Sequence, residues 1–330
     1  MSVVAAEDRG PRVAAIDAAR GVALLAMAIY HFSWDLSNYG LFAVDVIADP
    51  GWKAFARAIA GTFIFLVGVS LVLATRQRFD RRAYLRRLAI IVGAALLVTV
   101  GTAFMFPTAY VFFGILHLIA FASVAALPFL WMPLVVVLAV AIAVFALPLF
   151  FSHEIFAWWP LWWVGLAPGP PTTSVDYVPV FPWFAMTLFG IVAGKLFLRY
   201  AGDSAVARWR PGGKPGRLAV LAGRWSLPIY LVHQPVLIGI VSVAAAFFPP
   251  DPQVQAETFR KDCVTNCRTN GRDAPFCEAA CNCVLDGLEE RGMLSTIIPG
   301  RMSAADNDEW VRLVRACVPG ENPAAGAPPN

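Results

Sequence analysis

The stretch Ile16–Leu36, IDAARGVALLAMAIYHFSWDL, is the first indication of the fold class of this chain. It is apolar over about the 20 residues that a helix needs to cross the hydrocarbon core of a bilayer. Asp17 and Arg20 stand at its start, and His31 and Asp35 stand toward its far end. Titratable side chains inside a membrane span are costly, which makes them candidates for function. The stretch therefore predicts a membrane helix that carries chemistry.

Further apolar stretches predict an all-α, multi-pass transmembrane bundle of about seven helices. Of the 330 residues, 58% are hydrophobic and 15% are charged, well below the roughly one-quarter charged content of a soluble domain. No signal-peptide cleavage pattern follows the polar start, so the first helix is predicted to stay as an anchor. The predicted spans are about residues 14–36, 52–74, 87–106, 110–128, 133–151, 181–199 and 224–248.

Basic residues orient the predicted bundle. The loops after the second and sixth predicted helices are rich in Arg and Lys, whereas residues 36–52 and 152–180 contain neither. The positive-inside rule places the basic loops in the cytoplasm, so seven crossings predict a cytoplasmic N-terminus and an extracytoplasmic tail. The net charge of +4 is too small to indicate a nucleic-acid partner. The basic residues are Arg76, Arg78, Arg81, Arg82, Arg86 and Arg87 in one loop, and Arg199, Arg208, Arg210, Lys214 and Arg217 in the other.

The composition changes from apolar to charged at Pro249. This change predicts a transmembrane domain of residues 1–248 and a tail of residues 249–330. The tail contains all 6 cysteines, and its end, PGENPAAGAPPN at residues 319–330, is predicted to be disordered.

Two C-x3-C pairs flank a turn in the tail. A spacing of four residues puts each pair on one helix face, so two antiparallel helices can be joined as Cys263–Cys281 and Cys267–Cys277. That arrangement leaves Cys283 for Cys317. Other connectivities fit the same sequence, and a zinc site is the competing interpretation. The even cysteine count, the predicted outer location and the lack of C-x2-C pairs favour structural disulfides.

Titratable residues in the predicted spans have a catalytic and a structural interpretation. His31 and Asp35 are one helical turn apart, so the carboxylate can orient the imidazole as a base, or both are ordinary buried and interfacial residues. Arg57 either faces the bundle, where it can hold a substrate anion or a developing oxyanion, or reaches the membrane interface by snorkelling. His117 and His233 either line a polar cavity, in which His117 is a candidate to stabilise the oxyanion, or are core histidines bonded to the backbone.

Arginines at the start of the third predicted span also have two interpretations. Arg82, Arg86 and Arg87 lie nearest to this span. They are orientation signals by the positive-inside rule, and they also suit the phosphates of coenzyme A.

Spaced motifs in several predicted helices match a known pattern. They are R-x3-I-D-x2-R-G-x-A-x3-M at Arg12–Met27, W-x2-F-x-R-x-I-A-G-x-F-I-F-L-V-G at Trp52–Gly68, F-G-I-L-H-L-I-A at Phe113–Ala120, and F-P-W-F from Phe181. This set resembles the transmembrane acyltransferases, in particular the bacterial relatives of heparan-alpha-glucosaminide N-acetyltransferase. The resemblance covers about residues 12–245 and leaves the tail unexplained.

Arg20 and His31 also reproduce the R-x10-H spacing of the sister acyltransferase-3 group. The resemblance implies that His31 is the catalytic base and that Arg20 lies toward the acyl-CoA. The chain departs from the family in one respect. In the lysosomal member of the heparan-alpha-glucosaminide N-acetyltransferase family, the catalytic histidine lies beyond the first helix. This chain has no histidine between Phe32 and His117, so the role of His31 depends on the sister group's pattern.

By resemblance, the chain is expected to take acetyl from cytosolic acetyl-CoA and deliver it to an extracytoplasmic sugar amine or hydroxyl, as a glycan-modifying enzyme of a bacterial-type inner membrane. The expected partners are membrane lipid, acyl-CoA and a glycan or other polar acceptor, with no metal and with homo-oligomerisation left open. Two functions compete, a proton-coupled transporter that uses the intramembrane histidines and a scaffold that presents the tail. Transporters often consist of two related halves, and the two halves of this sequence do not resemble each other, which makes transport the less favoured function.

Overall fold

The computed structural model describes residues 13–42, 44, 46–47, 49–75, 79–105, 109–169, 174–202, 204–248, 252–269, 271–294 and 304–318. The predictions for Arg12, Arg76, Arg78 and residues 319–330 concern positions outside these ranges. Every regular element within them is helical, which confirms the all-α class. The α-helices are α1 Ala14–Asn38, α2 Pro50–Ala74, α3 Arg81–Met105, α4 Ile115–Ala125, α5 Leu134–Phe150, α6 Val180–Tyr200, α7 Ala205–Arg208, α8 Lys214–Arg224, α9 Ser226–Phe247, α10 Pro252–Thr269, α11 Ala274–Glu290 and α12 Ala304–Cys317.

Each predicted span contains an apolar helix. In the described residues, α1, α2, α3, α6 and α9 are long and apolar enough to cross a bilayer, so the chain is a multi-pass membrane protein. Two predicted spans contain shorter helices, because α4 has 11 residues and α5 has 17. Pro128 limits α4, since a proline has no N–H to donate to the carbonyl of the residue four positions before it.

The described chain separates into two compact units. The first contains the residues up to Met27 together with Phe55–Val232, and the second contains Ala28–Ala54 together with the residues from His233 onward. Helices α1 and α9 therefore contribute residues to both units. The predicted domain boundary between residues 248 and 249 stays a prediction.

Close backbone contact between α2 and α6 organises the first unit. A Cβ atom at Gly68 would collide with the carbonyl of Thr187, and one at Gly190 would collide with the carbonyl of Phe65. The Thr187 hydroxyl also donates to the carbonyl of Ile64 at 3.3 Å. Small residues allow such approaches between membrane helices, where van der Waals contact and interhelical hydrogen bonds drive association.

Helix α8 lies in the stretch that the sequence suggested was a basic loop. Its face with Val220 and Gly223 is buried, whereas Leu218, Leu221 and Trp225 are exposed. A basic helix with an exposed apolar side is typical of a helix that lies at a membrane surface. A surface location of α8 agrees with its place in the chain between the membrane helices α6 and α9.

The three predicted disulfides are confirmed. Cys263–Cys281, Cys267–Cys277 and Cys283–Cys317 have Cα–Cα distances of 5.8, 5.6 and 5.7 Å. Helices α10 and α11 carry the first two bridges, as the C-x3-C spacing predicts. The third bridge ties α12, a helix that the sequence analysis did not identify, to α11. The small apolar core of the tail contains Phe259, Val284, Leu288, Met293, Trp310 and Leu313.

Candidate active site

Two imidazoles meet in the second unit. His31 on α1 and His233 on α9 have ring centroids 5.0 Å apart and ring planes at 63°. Tyr30 lies beside them, with its ring centroid 5.5 Å from that of His31 and 6.2 Å from that of Trp52. All four side chains are partly buried. A neutral imidazole accepts a proton and an imidazolium donates one, so this pair can carry out acid–base chemistry.

Asp35 has a different partner from the one predicted. Its Oδ1 accepts a hydrogen bond of 2.9 Å from Nε2 of Gln234 on α9. Within the described residues, no hydrogen bond joins Asp35 to His31. The carboxylate is only 1% exposed, so its burial requires hydrogen-bond donors. The proposed role of Asp35 in orienting His31 therefore lacks a direct contact, and its function stays a prediction.

A further polar contact extends this line of residues. The hydroxyls of Tyr39 and Ser242 lie 2.6 Å apart. The partners of His31, Asp35 and Tyr39 follow the same order along α9, so α1 and α9 run parallel in this unit. Each membrane crossing reverses the direction of the chain. The first and seventh apolar helices of the predicted bundle are separated by an odd number of crossings, and such helices are parallel. We call these three contacts the α1–α9 polar line.

His117 lies in the first unit, at the start of α4. Its Nδ1 accepts from the N–H of Gly114 at 3.3 Å, which assigns the proton of the neutral ring to Nε2. Nε2 lies 3.1 Å from the hydroxyl of Thr99, and that hydroxyl donates to the carbonyl of Val111 at 2.7 Å. Both ring nitrogens thus help to hold the first turn of α4. A catalytic role for His117 stays a prediction, and it would require one of these bonds to open.

Asp176 also holds the start of α4. Its Oδ2 accepts from the N–H of Ile115 at 3.0 Å, where the helix dipole favours a negative charge. Burial raises the pKa of Asp176, and the Ile115 hydrogen bond opposes that shift. Burial also raises the pKa of the neighbouring Tyr177 to about 12, and the Tyr177 hydroxyl donates to the carbonyl of Trp162 at 2.7 Å. The loop before α6 is therefore bonded to α4, which the sequence analysis did not predict.

Arg20 belongs to a charged cluster in the first unit. Its guanidinium lies 3.2 Å from Asp17 and donates to the hydroxyl of Ser70 on α2. The other oxygen of Asp17 lies 3.5 Å from Nε of Arg224 on α8. Asp17 is buried, so the two guanidinium groups compensate its charge. Arg20 thus joins α1 to α2, and binding of acyl-CoA by Arg20 stays a prediction.

The other predicted arginines are exposed. Arg57 lies on the first half of α2. Arg82, Arg86 and Arg87 lie on the first two turns of α3, which begins at Arg81 and not at residue 87. Asp80 starts this helix, because its Oδ1 accepts from the N–H groups of Arg82 and Ala83.

Within the second unit, the structure brings His31 and Asp35 together with His233 and Gln234. His233 was predicted either to line a polar cavity or to be a core histidine, and no role was predicted for Gln234. The sequence offered one indication of this site, which is that two polar residues, His233 and Gln234, stand together before Pro235 in an apolar stretch. Arg20, Arg57, Arg82, Arg86, Arg87 and His117 belong to the first unit.

Comparison with known proteins identifies the family of the chain. The family model described as heparan-alpha-glucosaminide N-acetyltransferase, catalytic, matches residues 12–235. The match includes both imidazoles, Asp35 and Gln234, and it ends before the tail. No curated protein and no solved structure matches the chain.

Proposed function

The chain belongs to the heparan-alpha-glucosaminide N-acetyltransferase catalytic family, and from this premise we propose that it transfers acetyl from cytosolic acetyl-CoA to a sugar amine or hydroxyl on the other side of the membrane. The family relation makes the chain a membrane acetyltransferase. The donor, the acceptor and the direction of transfer are the proposed part. The observation that carries the proposal is the His31–His233 pair, 5.0 Å apart, inside the matched region.

The imidazole pair suits acyl transfer from a thioester. The acceptor must lose a proton as its nitrogen or oxygen attacks the acetyl carbon, and a neutral imidazole within reach can take that proton. His31 is the proposed base. His233, in contact with it, is the proposed second proton carrier.

Two routes are compatible with this pair. In direct transfer, the acceptor attacks acetyl-CoA while His31 takes its proton. In a two-step route, one imidazole nitrogen displaces the thiolate to form an acetyl-imidazole, and the other ring serves as the base for the acceptor. Mixing the protein with radiolabelled acetyl-CoA without acceptor distinguishes the routes, because only the second labels the protein with release of free CoA.

Cations on the cytoplasmic side of the proposed topology support the donor end. Arg82, Arg86 and Arg87 are exposed on the first turns of α3, where guanidinium groups can pair with the phosphates of acetyl-CoA. Arg20 supports the same end only if it exchanges its contacts with Asp17 and Ser70 for a phosphate. The residues proposed for the chemistry are His31, Asp35 and His233, which all belong to the second unit. The roles of Arg57 and His117 as oxyanion donors stay predictions from the sequence.

The test uses the purified full-length protein in detergent, with radiolabelled acetyl-CoA and with glucosamine as the acceptor probe. We expect acetyl-CoA to bind saturably and acetylated glucosamine to form together with free CoA. Protein denatured beforehand is the control for nonenzymatic acetylation. A folded protein with no affinity for acetyl-CoA would overturn the proposal.

Proton-coupled transport is the alternative, and the α1–α9 polar line is the observation that favours it, since such a line can relay protons. In vesicles that contain the protein, a transporter would accumulate a solute in response to a pH gradient without acetyl-CoA. The proposed enzyme would form product in those vesicles only when acetyl-CoA is supplied.

A further inference from the structure

The segment that joins α6 to α9 is rich in cations and contains no carboxylate between Ser204 and Trp225. All of its basic side chains are exposed. In the described part of the chain, Arg224 alone among them pairs with a carboxylate, that of Asp17 at 3.5 Å. The other four charges therefore have no described carboxylate to compensate them. The five basic residues are Arg208, Arg210, Lys214, Arg217 and Arg224.

The exposed face of α8 has a cationic edge and an apolar edge. Arg217 and Arg224 are about two helical turns apart, so they share the cationic edge. Leu218, Leu221 and Trp225 form the apolar edge, where they are 64%, 52% and 60% exposed. At a membrane surface, apolar side chains are stabilised by contact with acyl chains, while cations stay among the headgroups. The two edges together therefore match a lipid surface better than they match water.

Tight packing on α1 fixes the orientation of this face. A Cβ atom at Gly223 would collide with the carbonyl of Asp17, and one at Gly21 would collide with the carbonyl of Ala219. Arg224 reaches Asp17 from the same turn, while 48% of its side chain remains exposed. Backbone contact and an ion pair therefore hold α8 against α1. A fixed helix presents its cations without the entropy cost of ordering a free segment.

The chemistry of this face defines the partner. Guanidinium and ammonium groups pair with phosphate oxygens through charge-assisted hydrogen bonds. A soluble phosphate compound would satisfy the cations but would leave the apolar edge in water. A zwitterionic lipid would cover the apolar edge but would leave the positive charge of the segment uncompensated. An anionic phospholipid supplies both a charged phosphodiester for the cations and acyl chains for the apolar edge.

We propose that α8 and the basic residues before it form a docking surface for anionic phospholipid headgroups, which we call the α8 basic surface. In the predicted topology this surface lies on the cytoplasmic side, where a negative leaflet attracts clusters of basic residues next to membrane helices. The inference goes beyond acetyl transfer and does not depend on it. It predicts that the protein enriches anionic lipid around α8.

A bimane dye on the apolar edge provides the reporter, attached to the single introduced cysteine of Leu218→Cys. The dye reacts only there, because the native cysteines are in disulfides. The full-length protein is placed in phosphatidylcholine vesicles that contain a minor fraction of lipid with brominated acyl chains. This brominated lipid is phosphatidylglycerol in one set of vesicles and phosphatidylcholine in the other. Bromine quenches the dye at short range, so quenching measures which lipid is enriched beside α8.

We expect brominated phosphatidylglycerol to quench the dye more strongly than brominated phosphatidylcholine does. The double variant Lys214→Gln, Arg217→Gln should lose most of this difference, because each cation near an anionic surface raises the affinity for it by up to about fivefold. Quenching by brominated phosphatidylcholine should stay the same, which reports that α8 keeps its position. Arg224 is left in place, since its replacement would also remove the ion pair with Asp17.

The double variant Arg268→Gln, Arg315→Gln is the matched control. Both arginines are exposed on the tail, so the control has the same net charge as the test variant and should keep the preference for phosphatidylglycerol. Sodium chloride tests the charges without a substitution, because screening should reduce the preference in the otherwise unaltered protein. Sodium phosphate at the same ionic strength should reduce it by the same amount.

Equal quenching by the two brominated lipids in the otherwise unaltered protein would overturn the proposal, and so would a preference that survives in the folded test variant. An equal loss in the control variant would mean that net charge, and not the α8 basic surface, is responsible. A stronger effect of phosphate than of chloride would assign the cations to a soluble phosphate compound and would also overturn the proposal. None of these measurements uses acetyl-CoA, so their outcome is independent of the proposed acetyl transfer.

Discussion

The imidazole of His31 lies edge-on against that of His233, with centroids 5.0 Å apart and ring planes at 63°. The two histidines come from the first and last apolar helices of the family-matched region. Asp35 lies one helical turn after His31, and Gln234, which donates a hydrogen bond to Asp35, is the chain neighbour of His233. Because the two rings are in contact, we expect both His31 and His233 to take part in acetyl transfer.

Removal of either imidazole should slow acetyl transfer. We expect His31→Ala to lower kcat by about 10² to 10⁴, the usual contribution of a general base. His233→Ala should also lower kcat, and the double variant should be little worse than His31→Ala, because groups that act as a unit are not additive. Initial rates measure the effect, with acetyl-CoA affinity as the check on folding. A folded His31→Ala protein with a normal rate would contradict the mechanism.

Exposed arginines on α3 should contribute to acetyl-CoA binding. Because Arg86 and Arg87 are exposed, each change to Gln should weaken binding by only about two- to fivefold, as for solvent-screened ion pairs. Added salt should reduce the difference between the variants and the unaltered protein. Calorimetric titration with acetyl-CoA measures both effects. Arg315→Gln in the tail is the matched control, and an equal loss there would mean that net charge alone is responsible.

Close contact between α1 and α8 should make two glycines sensitive to substitution. A Cβ atom at Gly21 would collide with the carbonyl of Ala219, and one at Gly223 with the carbonyl of Asp17. We expect Gly21→Ala to destabilise the protein by about 1–3 kcal/mol, the usual cost of overpacking. Thermal unfolding in detergent measures this loss.

Gly93→Ala is the control for that substitution. Within the described residues, no atom lies within 4 Å of a Cβ atom at Gly93, and alanine is favoured over glycine in a helix by roughly 0.5–1 kcal/mol. The variant should therefore be as stable as the unaltered protein or slightly more stable. Equal destabilisation by both substitutions would contradict the α1–α8 contact.

Disulfides in the tail should stabilise it more when they close a longer stretch of chain, although the gain grows only with the logarithm of that length. The Cys283–Cys317 bridge spans 34 residues and the Cys267–Cys277 bridge spans 10. Loop-closure entropy gives about 4 kcal/mol for the first and about 3 kcal/mol for the second. Replacing each pair by Ser should therefore expose the tail to protease most strongly for the first pair. Free thiols in the nonreduced, unaltered protein would contradict all three bridges.

The predicted orientation can be measured with single introduced cysteines, because all six native cysteines are in disulfides. A cysteine near Arg81 should react with a membrane-impermeant maleimide only from the cytoplasmic side, and one near Ala167 only from the other side. This pattern follows from the positive-inside rule. Labelling with the sides exchanged would reverse the proposed direction of acetyl transfer.

Local sequence patterns predicted the positions of most helices of this fold. Long apolar runs predicted where the membrane helices lie, because about 20 apolar residues have few stable alternatives to a spanning helix. Helix ends were less well predicted. Helix α4 has only 11 residues, since Pro128 limits its end and contacts from His117 and Asp176 hold its start, and the latter contacts depend on folding.

Sequence alone predicted where the apolar helices lie, because hydrophobic length acts within one helix. The four-residue cysteine spacing favoured two of the bridges, and the structure established all three among the connectivities that the sequence left open. The contact of His31 with His233, and the bond between Asp35 and Gln234 at a sequence separation of 199, became visible in the packed helices alone. Such partners depend on how α1 and α9 are rotated about their axes when they pack. The spacing of residues within one helix does not predict that rotation. The sequence therefore predicted a contact between His31 and Asp35, whereas the structure shows a bond between Asp35 and Gln234.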